Sequence, residues 1–128
     1  MALQPGLERV DEFVVEERML TDVGGSLGVR VLSTPSMISR MERNAARLAA
    51  QHLPAGQATV GFEVCVRHVA GAREGARCSV RAELREVIEG RKLRFAVEVR
   101  EGERRLGMGT HERRVIDVER HRDALTGA

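Results

Sequence analysis

The feature that most constrains the fold is a run of four segments in the second half of the chain, in which apolar and polar residues alternate. They read ATVGFEVCVRHV, CSVRAELREVI, LRFAVEV and RRLGMGTHERRVIDV, with short Gly-containing connections between them. A period of two is typical of strands that bury one face of a sheet, and short connections join antiparallel neighbours. We therefore predict an antiparallel meander. The first segment would present one face made of Val60, Phe62, Val64, Val66 and His68.

Only one segment, residues 35–52, has a strong helical pattern. Thr34 is the expected N-cap, and Pro35 suits the first helical position. At 100° per residue the apolar residues form one stripe, and the polar residues form the opposite face. The stripe contains Met37, Ile38, Met41, Ala45, Leu48 and Ala49, and the polar face contains Ser39, Arg40, Arg43, Asn44, Arg47 and Gln51.

These elements predict a two-layer α+β domain. Two short extended pieces, residues 11–18 and 29–32, precede the helix, which must cover one face of the sheet. One long helix packed on a curved antiparallel sheet is the hotdog fold. We expect residues 1–128 to form a single domain with loose termini, about 1–9 and 121–128. Because such a helix is hard to cover within one protomer, a homodimer or a higher homo-oligomer is also expected.

Composition argues against several classes of protein. The net charge is only +2, opposite charges are interleaved, and aromatic residues make up 2% of the chain, which disfavours a nucleic-acid partner. No apolar run approaches the ~18 residues of a membrane span, and no signal peptide opens the sequence. Cys65 and Cys78 lack metal spacing, so we expect free thiols, no metal, no cofactor and a cytoplasmic protein. Lys92 is the only lysine, so arginines make up the rest of the 21 lysine and arginine residues.

Three side chains are candidates for chemistry. Glu42 lies at the margin of the helical apolar stripe, where a carboxylate is partly removed from water and can act as a base. It could equally bend out to solvent or pair with an arginine. His68 ends the apolar face of its strand and, taken alone, is more simply a core or edge histidine. Thr34 is explained as well by helix capping as by catalysis.

The combination of segments is more specific than its members. STPSMISRMERNA, LPAGQATVGFEVCVRHVA and GMGTHERRVID together resemble the fluoroacetyl-CoA thioesterase-like family of hotdog proteins, and the similarity runs over roughly residues 12–120. The resemblance implies an acyl-CoA thioesterase with a catalytic Thr34, Glu42 and His68. It also implies substrate contacts at Gly61 and Arg113.

The resemblance further implies a mechanism in which Glu42 attacks the acyl carbon or activates a water molecule. His68 would orient water or protonate the leaving sulfur, Thr34 would hold Glu42 or the acyl-enzyme, and Arg113 would bind CoA phosphates or fix the edge of the site. The segment DVGGSLGVRVLS lacks the aromatic residues of the family's lid, so a thioesterase is implied more strongly than a fluorinated substrate. The main alternative is a non-catalytic acyl-CoA or acyl-carrier binding protein with the same fold.

Overall fold

The four long strands are antiparallel, as predicted, but only the last three form a meander. The first long strand pairs with the last one and not with the strand that follows it, because the N-terminal strand occupies that place beside the second long strand. The computed structural model describes residues 2–127. Its elements are β1 (Glu8–Val14), a 3₁₀ turn (Glu17–Met19), β2 (Leu20–Thr21), β3 (Val31–Leu32), α1 (Thr34–Ala50), β4 (Gln57–His68), β5 (Arg77–Ile88), β6 (Lys92–Glu101), β7 (Arg104–Asp117) and α2 (Val118–Thr126). A five-stranded antiparallel sheet has the order β1-β5-β6-β7-β4, so β1 and β4 are its edges.

Helix α1 packs its apolar stripe on one face of this sheet. Met37, Met41, Ala45, Leu48 and Ala49 are buried, and they meet the inward-facing residues of the central strands. Those residues are Cys78, Val80, Ala82 and Leu84 of β5 and Leu93, Phe95, Val97 and Val99 of β6. The predicted α+β class is therefore confirmed. No helix within residues 2–127 has both the length and the apolarity that crossing a bilayer requires.

The N-terminus of α1 differs from the prediction by one residue. Ser33, not Thr34, is the N-cap, and its Oγ accepts a hydrogen bond from the Ser36 backbone N–H at 3.1 Å. Thr34 is the first helical residue, next to Pro35. Because Ser33 supplies the cap, the Thr34 hydroxyl is available for another partner.

Asn44 was predicted on the polar face of α1, but it is 1% exposed. Its Nδ2 donates to Asp11 Oδ2 at 2.9 Å and to the Arg9 carbonyl at 3.3 Å. The sequence pattern missed this contact because β1 comes from a distant part of the chain and covers the flank of α1. Bonds of Arg9 and Asn44 to Asp11 outweigh the effect of burial and lower the pKa of its carboxyl group.

A bulge in β4 changes which residues face α1. The pairing with β7 shifts register between Gly61 and Glu63, so the strand contains one extra residue there. As a result, Val64, Val66 and His68 face α1 as predicted, whereas Val60 and Phe62 point to the other face. Phe62 is 60% exposed and lies under the Arg114 guanidinium, 3.6 Å from ring centroid to Cζ.

The chain ends are more regular than predicted. β1 already begins at Glu8, and the C-terminal segment forms α2 up to Thr126 instead of staying loose after residue 120. None of the residues of α2 is buried, so the sequence carried no apolar stripe from which to predict it.

Two glycines of β7, Gly107 and Gly109, lie where the chain approaches closely. An added Cβ at Gly107 would overlap the Met37 side chain, and one at Gly109 would overlap the Cys65 carbonyl and the Val66 backbone. Met37 is flexible and can yield, whereas the backbone of a paired strand cannot.

We therefore expect Gly109→Ala to lower the free energy of unfolding by at least ~2 kcal/mol, because the new methyl group forces β4 and β7 apart. Denaturant unfolding of both proteins measures this. Gly71→Ala is the matched control, since its Cβ would meet only Val31 at 3.6 Å, an ordinary contact. Equal stability of the two variants would contradict the assigned contact.

Candidate active site

The start of α1 and the end of β4 are joined by a side-chain hydrogen bond. Thr34 Oγ1 and His68 Nδ1 lie 2.8 Å apart. Thr34 is exposed and His68 is half-buried, so the hydroxyl is the member of the pair that meets solvent. Two of the three catalytic residues implied by the resemblance are thus brought together.

The His68 imidazole is held in a partly desolvated place. Burial lowers the pKa of His68, and the nearby backbone of Ala70 opposes that shift only in part. Nε2 is buried and has no hydrogen-bond partner within residues 2–127. The neutral ring is therefore the favoured form at neutral pH, and its one satisfied nitrogen is the one bonded to Thr34.

Glu42 lies over the one position of β4 that has no side chain. A Cβ at Gly61 would stand 2.7 Å from Glu42 Oε2, closer than atoms in contact allow. The Glu42 side chain is 41% exposed, which agrees with its predicted position at the margin of the apolar stripe. The absence of a side chain at Gly61 leaves space for the carboxylate against the strand.

Arg113 holds the other side of this carboxylate. Its Nε donates to Thr59 Oγ1 at 2.7 Å and its Nη2 to the Thr59 carbonyl at 2.9 Å. Its Nη1 lies 3.2 Å from His111 Nε2 and 3.9 Å from Glu42 Oε2. The guanidinium is buried and fixed by three neutral acceptors, so its charge is directed at the one carboxylate nearby.

His111 completes this network and had no role in the sequence-based prediction. It is buried, and its Nδ1 lies 2.8 Å from the Glu63 carbonyl. A carbonyl only accepts, so Nδ1 carries the proton and Nε2 accepts from Arg113. Burial lowers the pKa of His111, and Arg113 lowers it further. The alternation of β7 did contain a signal, because His111 and Arg113 are two residues apart and share a face.

The site residues therefore form two groups. One is the Thr34–His68 pair, and the other consists of Glu42, Gly61 and Arg113. Thr34 and Glu42 are eight residues apart, about 12 Å along the helix axis, and within the described chain the Thr34 hydroxyl bonds to His68 and not to Glu42. No group of three or more potential metal ligands occurs among residues 2–127.

The desolvated imidazoles of His68 and His111 predict a pH-dependent stability. A free imidazole titrates near pH 6.5, and both His68 and His111 have lower pKa values in the fold. Below about pH 6.5 the unfolded chain binds protons that the folded chain does not, so the free energy of unfolding falls with falling pH. Each group contributes at most about 1.4 kcal/mol per pH unit.

Urea unfolding at several pH values between 7.5 and about 5 tests this expectation. His111→Gln removes one of these groups and should give a shallower decrease than the wild type. The control is His121→Gln, which changes an exposed residue of α2 and should leave the slope unchanged. A His111→Gln slope as steep as that of the wild type would contradict the assignment.

Comparisons with known proteins show which family this chain resembles. The family described as fluoroacetyl-CoA-specific thioesterase matches residues 15–119. A fluoroacetyl-CoA thioesterase of Streptantibioticus cattleyicolor is 40% identical over 90 residues, which are 70% of this chain and 64% of that protein. The match thus spans less than two thirds of the relative.

Solved structures extend the similarity to the whole fold. The fluoroacetyl-CoA thioesterase FlK superposes with a TM-score of 0.87 at 30% identity, over 99% of this chain and 98% of that one. A hot-dog-like protein of Thermanaerovibrio acidaminovorans gives a TM-score of 0.86 at 19% identity, over 96% and 90% of the two chains. The fold is therefore the predicted hotdog fold, and this chain belongs to the fluoroacetyl-CoA-specific thioesterase family.

Proposed function

We propose that this protein is an acyl-CoA thioesterase that hydrolyses its substrate to a free acid and CoA with Thr34, Glu42 and His68. The observation that carries the proposal is the Glu42 carboxylate, which lies over Gly61 on an edge strand and is held by Arg113. The family relationship supports the same reaction, since the relatives are named as thioesterases.

Glu42 is suited to act on the acyl carbon. The Arg113 guanidinium places a positive charge 3.9 Å from one carboxylate oxygen without enclosing the group, which stays 41% exposed. An accessible carboxylate at this place can attack the carbonyl, so that a C–O bond forms, the C–S bond breaks and water then hydrolyses the anhydride. Alternatively, it takes a proton from the water that attacks the same carbon. Both routes use Glu42.

The Thr34–His68 pair supplies an oriented hydroxyl. His68 Nδ1 faces Thr34 Oγ1, and its Nε2 is buried, so His68 reaches a substrate through the Thr34 hydroxyl. This geometry supports a role in which the pair positions water or the acyl-enzyme. It does not support the alternative in which Thr34 binds Glu42 directly.

The two proposed substrate-contact residues differ in what they can do. Gly61 leaves room for the acyl carbonyl to approach the β4 backbone, where an N–H group can stabilise the oxyanion. Arg113 is buried among Thr59, His111 and Glu42, which supports a role in fixing the site and not in binding CoA phosphates.

The loop before α1 does not support specificity for a fluorinated acyl group. The loop between β2 and β3 carries no aromatic residue, and its apolar side chains, Val23, Leu27 and Val29, are exposed. Such a loop offers no rigid aromatic surface for selecting a small polar acyl group.

Cys65 and Cys78 are free thiols, which are typical of proteins in a reducing compartment. We therefore propose that the protein is cytoplasmic.

We further propose that the protein is a homodimer joined along β4. This strand is 12 residues long, pairs on one side with β7 and leaves its other side open. It also exposes Phe62 and Val64. A long free edge with apolar residues favours pairing with another strand, and a second copy of β4 would extend the sheet and cover the open flank of Glu42.

Replacing the carboxylate tests the proposed reaction. Glu42→Gln keeps the shape but removes the base or nucleophile, and we expect turnover to fall by at least ~10²-fold. Thiol release from a panel of acyl-CoA esters, from acetyl to aryl and long-chain, measures this for both proteins. The control Glu74→Gln changes an exposed loop residue and should retain wild-type turnover.

The same assay separates the alternatives. Near-normal turnover in Glu42→Gln would remove Glu42 from the mechanism. A folded wild type that binds CoA esters but releases no thiol from any of them would instead identify a non-catalytic acyl-CoA binding protein.

Sedimentation velocity tests the oligomeric state. The chain mass is 14.2 kDa, so we expect a species of twice that mass at micromolar concentration. A single species at 14.2 kDa across that range would contradict the dimer.

A further inference from the structure

A pocket on the outer side of α1 concentrates positive charge. Its volume is about 270 Å³, and its lining combines the 3₁₀ turn with one face of the helix. We call it the arginine pocket; its residues are Arg18, Met19, Ser36, Ser39, Arg40 and Arg43. None of them belongs to the proposed catalytic group.

The positive charge in the arginine pocket is only partly neutralised. Glu16 is the carboxylate that approaches it, 3.0 Å from Arg18 Nη2 and 3.8 Å from Arg40 Nη2. Arg43 has no ion pair within the described residues. Burial lowers the pKa of Arg40, and the neighbouring charges of Arg43 and Arg18 lower it further. Three guanidinium groups against one carboxylate form a site that an anion stabilises.

The groups present suit a phosphate in particular. Guanidinium groups bind phosphate oxygens through paired N–H donors. Arg40 is held in place because its guanidinium lies 4.9 Å from the Phe13 ring centroid, so part of the pocket is preorganised. Ser39 adds an exposed hydroxyl on the same face.

The arginine pocket lies within reach of the proposed acyl site. Arg43 follows Glu42 directly, so the two side chains are about 100° apart around the helix, roughly 10 Å on its surface, and Ser39 lies between them. The pantetheine arm of CoA is about as long as four extended residues, roughly 14 Å. A thioester at Glu42 can therefore place its phosphates in the pocket.

We propose that the arginine pocket binds the phosphate groups of CoA while the thioester lies at Glu42. This inference rests on the proposed thioesterase function and names how the substrate is recognised. In this proposal the two arginines have different roles: Arg113 lies beside the Glu42 carboxylate, and Arg43 binds the phosphate end of CoA.

The experiment compares two substrates with the same acyl group, an acyl-CoA and the corresponding acyl-pantetheine, which has no phosphate. Arg43→Gln removes the charge of an exposed side chain that has no ion pair within the described residues, so we expect the fold to be preserved. Arg122→Gln, which changes an exposed arginine of α2, is the matched control. We expect Arg43→Gln to raise KM for the acyl-CoA about 5- to 10-fold at unchanged kcat and to leave both constants unchanged for the acyl-pantetheine.

Calorimetric titration with CoA alone provides a readout that does not depend on hydrolysis. Weaker CoA binding to Arg43→Gln than to Arg122→Gln supports the pocket even if the wild type hydrolyses no thioester, in which case only the proposed function fails. Equal CoA affinity in these variants, or equal changes in KM for both substrates, would overturn the proposal. Equal wild-type KM values for the two substrates would overturn it as well.

Discussion

The hydrogen bond from His111 to the Glu63 carbonyl, at the bulge of β4, is the contact on which the proposed site depends. The bulge places two residues of β4 against one of β7, and the strand then turns Gly61 toward α1. Without the extra residue, Gly61 would face away from α1, and a residue with a larger side chain would lie under Glu42. The His111 imidazole on β7 donates a hydrogen bond to the backbone at the bulge, and it accepts another from the Arg113 guanidinium.

A buried arginine is expensive to desolvate unless its donors find acceptors. Thr59 satisfies two sides of the Arg113 guanidinium and His111 satisfies a third, all without negative charge. Because no acidic acceptor neutralises Arg113, its positive charge still acts on Glu42, whose carboxylate is half-exposed. This arrangement differs from a buried, hydrogen-bonded ion pair, in which the carboxylate would have no free oxygen to offer a substrate.

Sequence patterns predicted the elements that bury a regular stripe or face: α1, the inward residues of β5 and β6, and the hotdog arrangement itself. They failed where the periodicity is interrupted or where a distant segment supplies the contact. The bulge in β4 reversed the expected direction of Phe62, and β1 buried Asn44 on a flank that looked polar. The predicted site residues depended on a resemblance, and His111 was missed because alternation alone does not distinguish a structural histidine from one that orients an arginine.

The nearly exclusive use of arginine has a chemical consequence for the proposed thioesterase. A lysine amine, once deprotonated, is a nucleophile and can be acylated by a thioester, whereas a guanidinium stays protonated and unreactive at physiological pH. The cations next to Glu42 and in the arginine pocket are all guanidinium groups. Lys92 adjoins the buried Leu93 in β6, and it therefore points to the face of the sheet opposite α1. The proposed binding surface can thus attract a reactive thioester without offering it a lysine amine to modify.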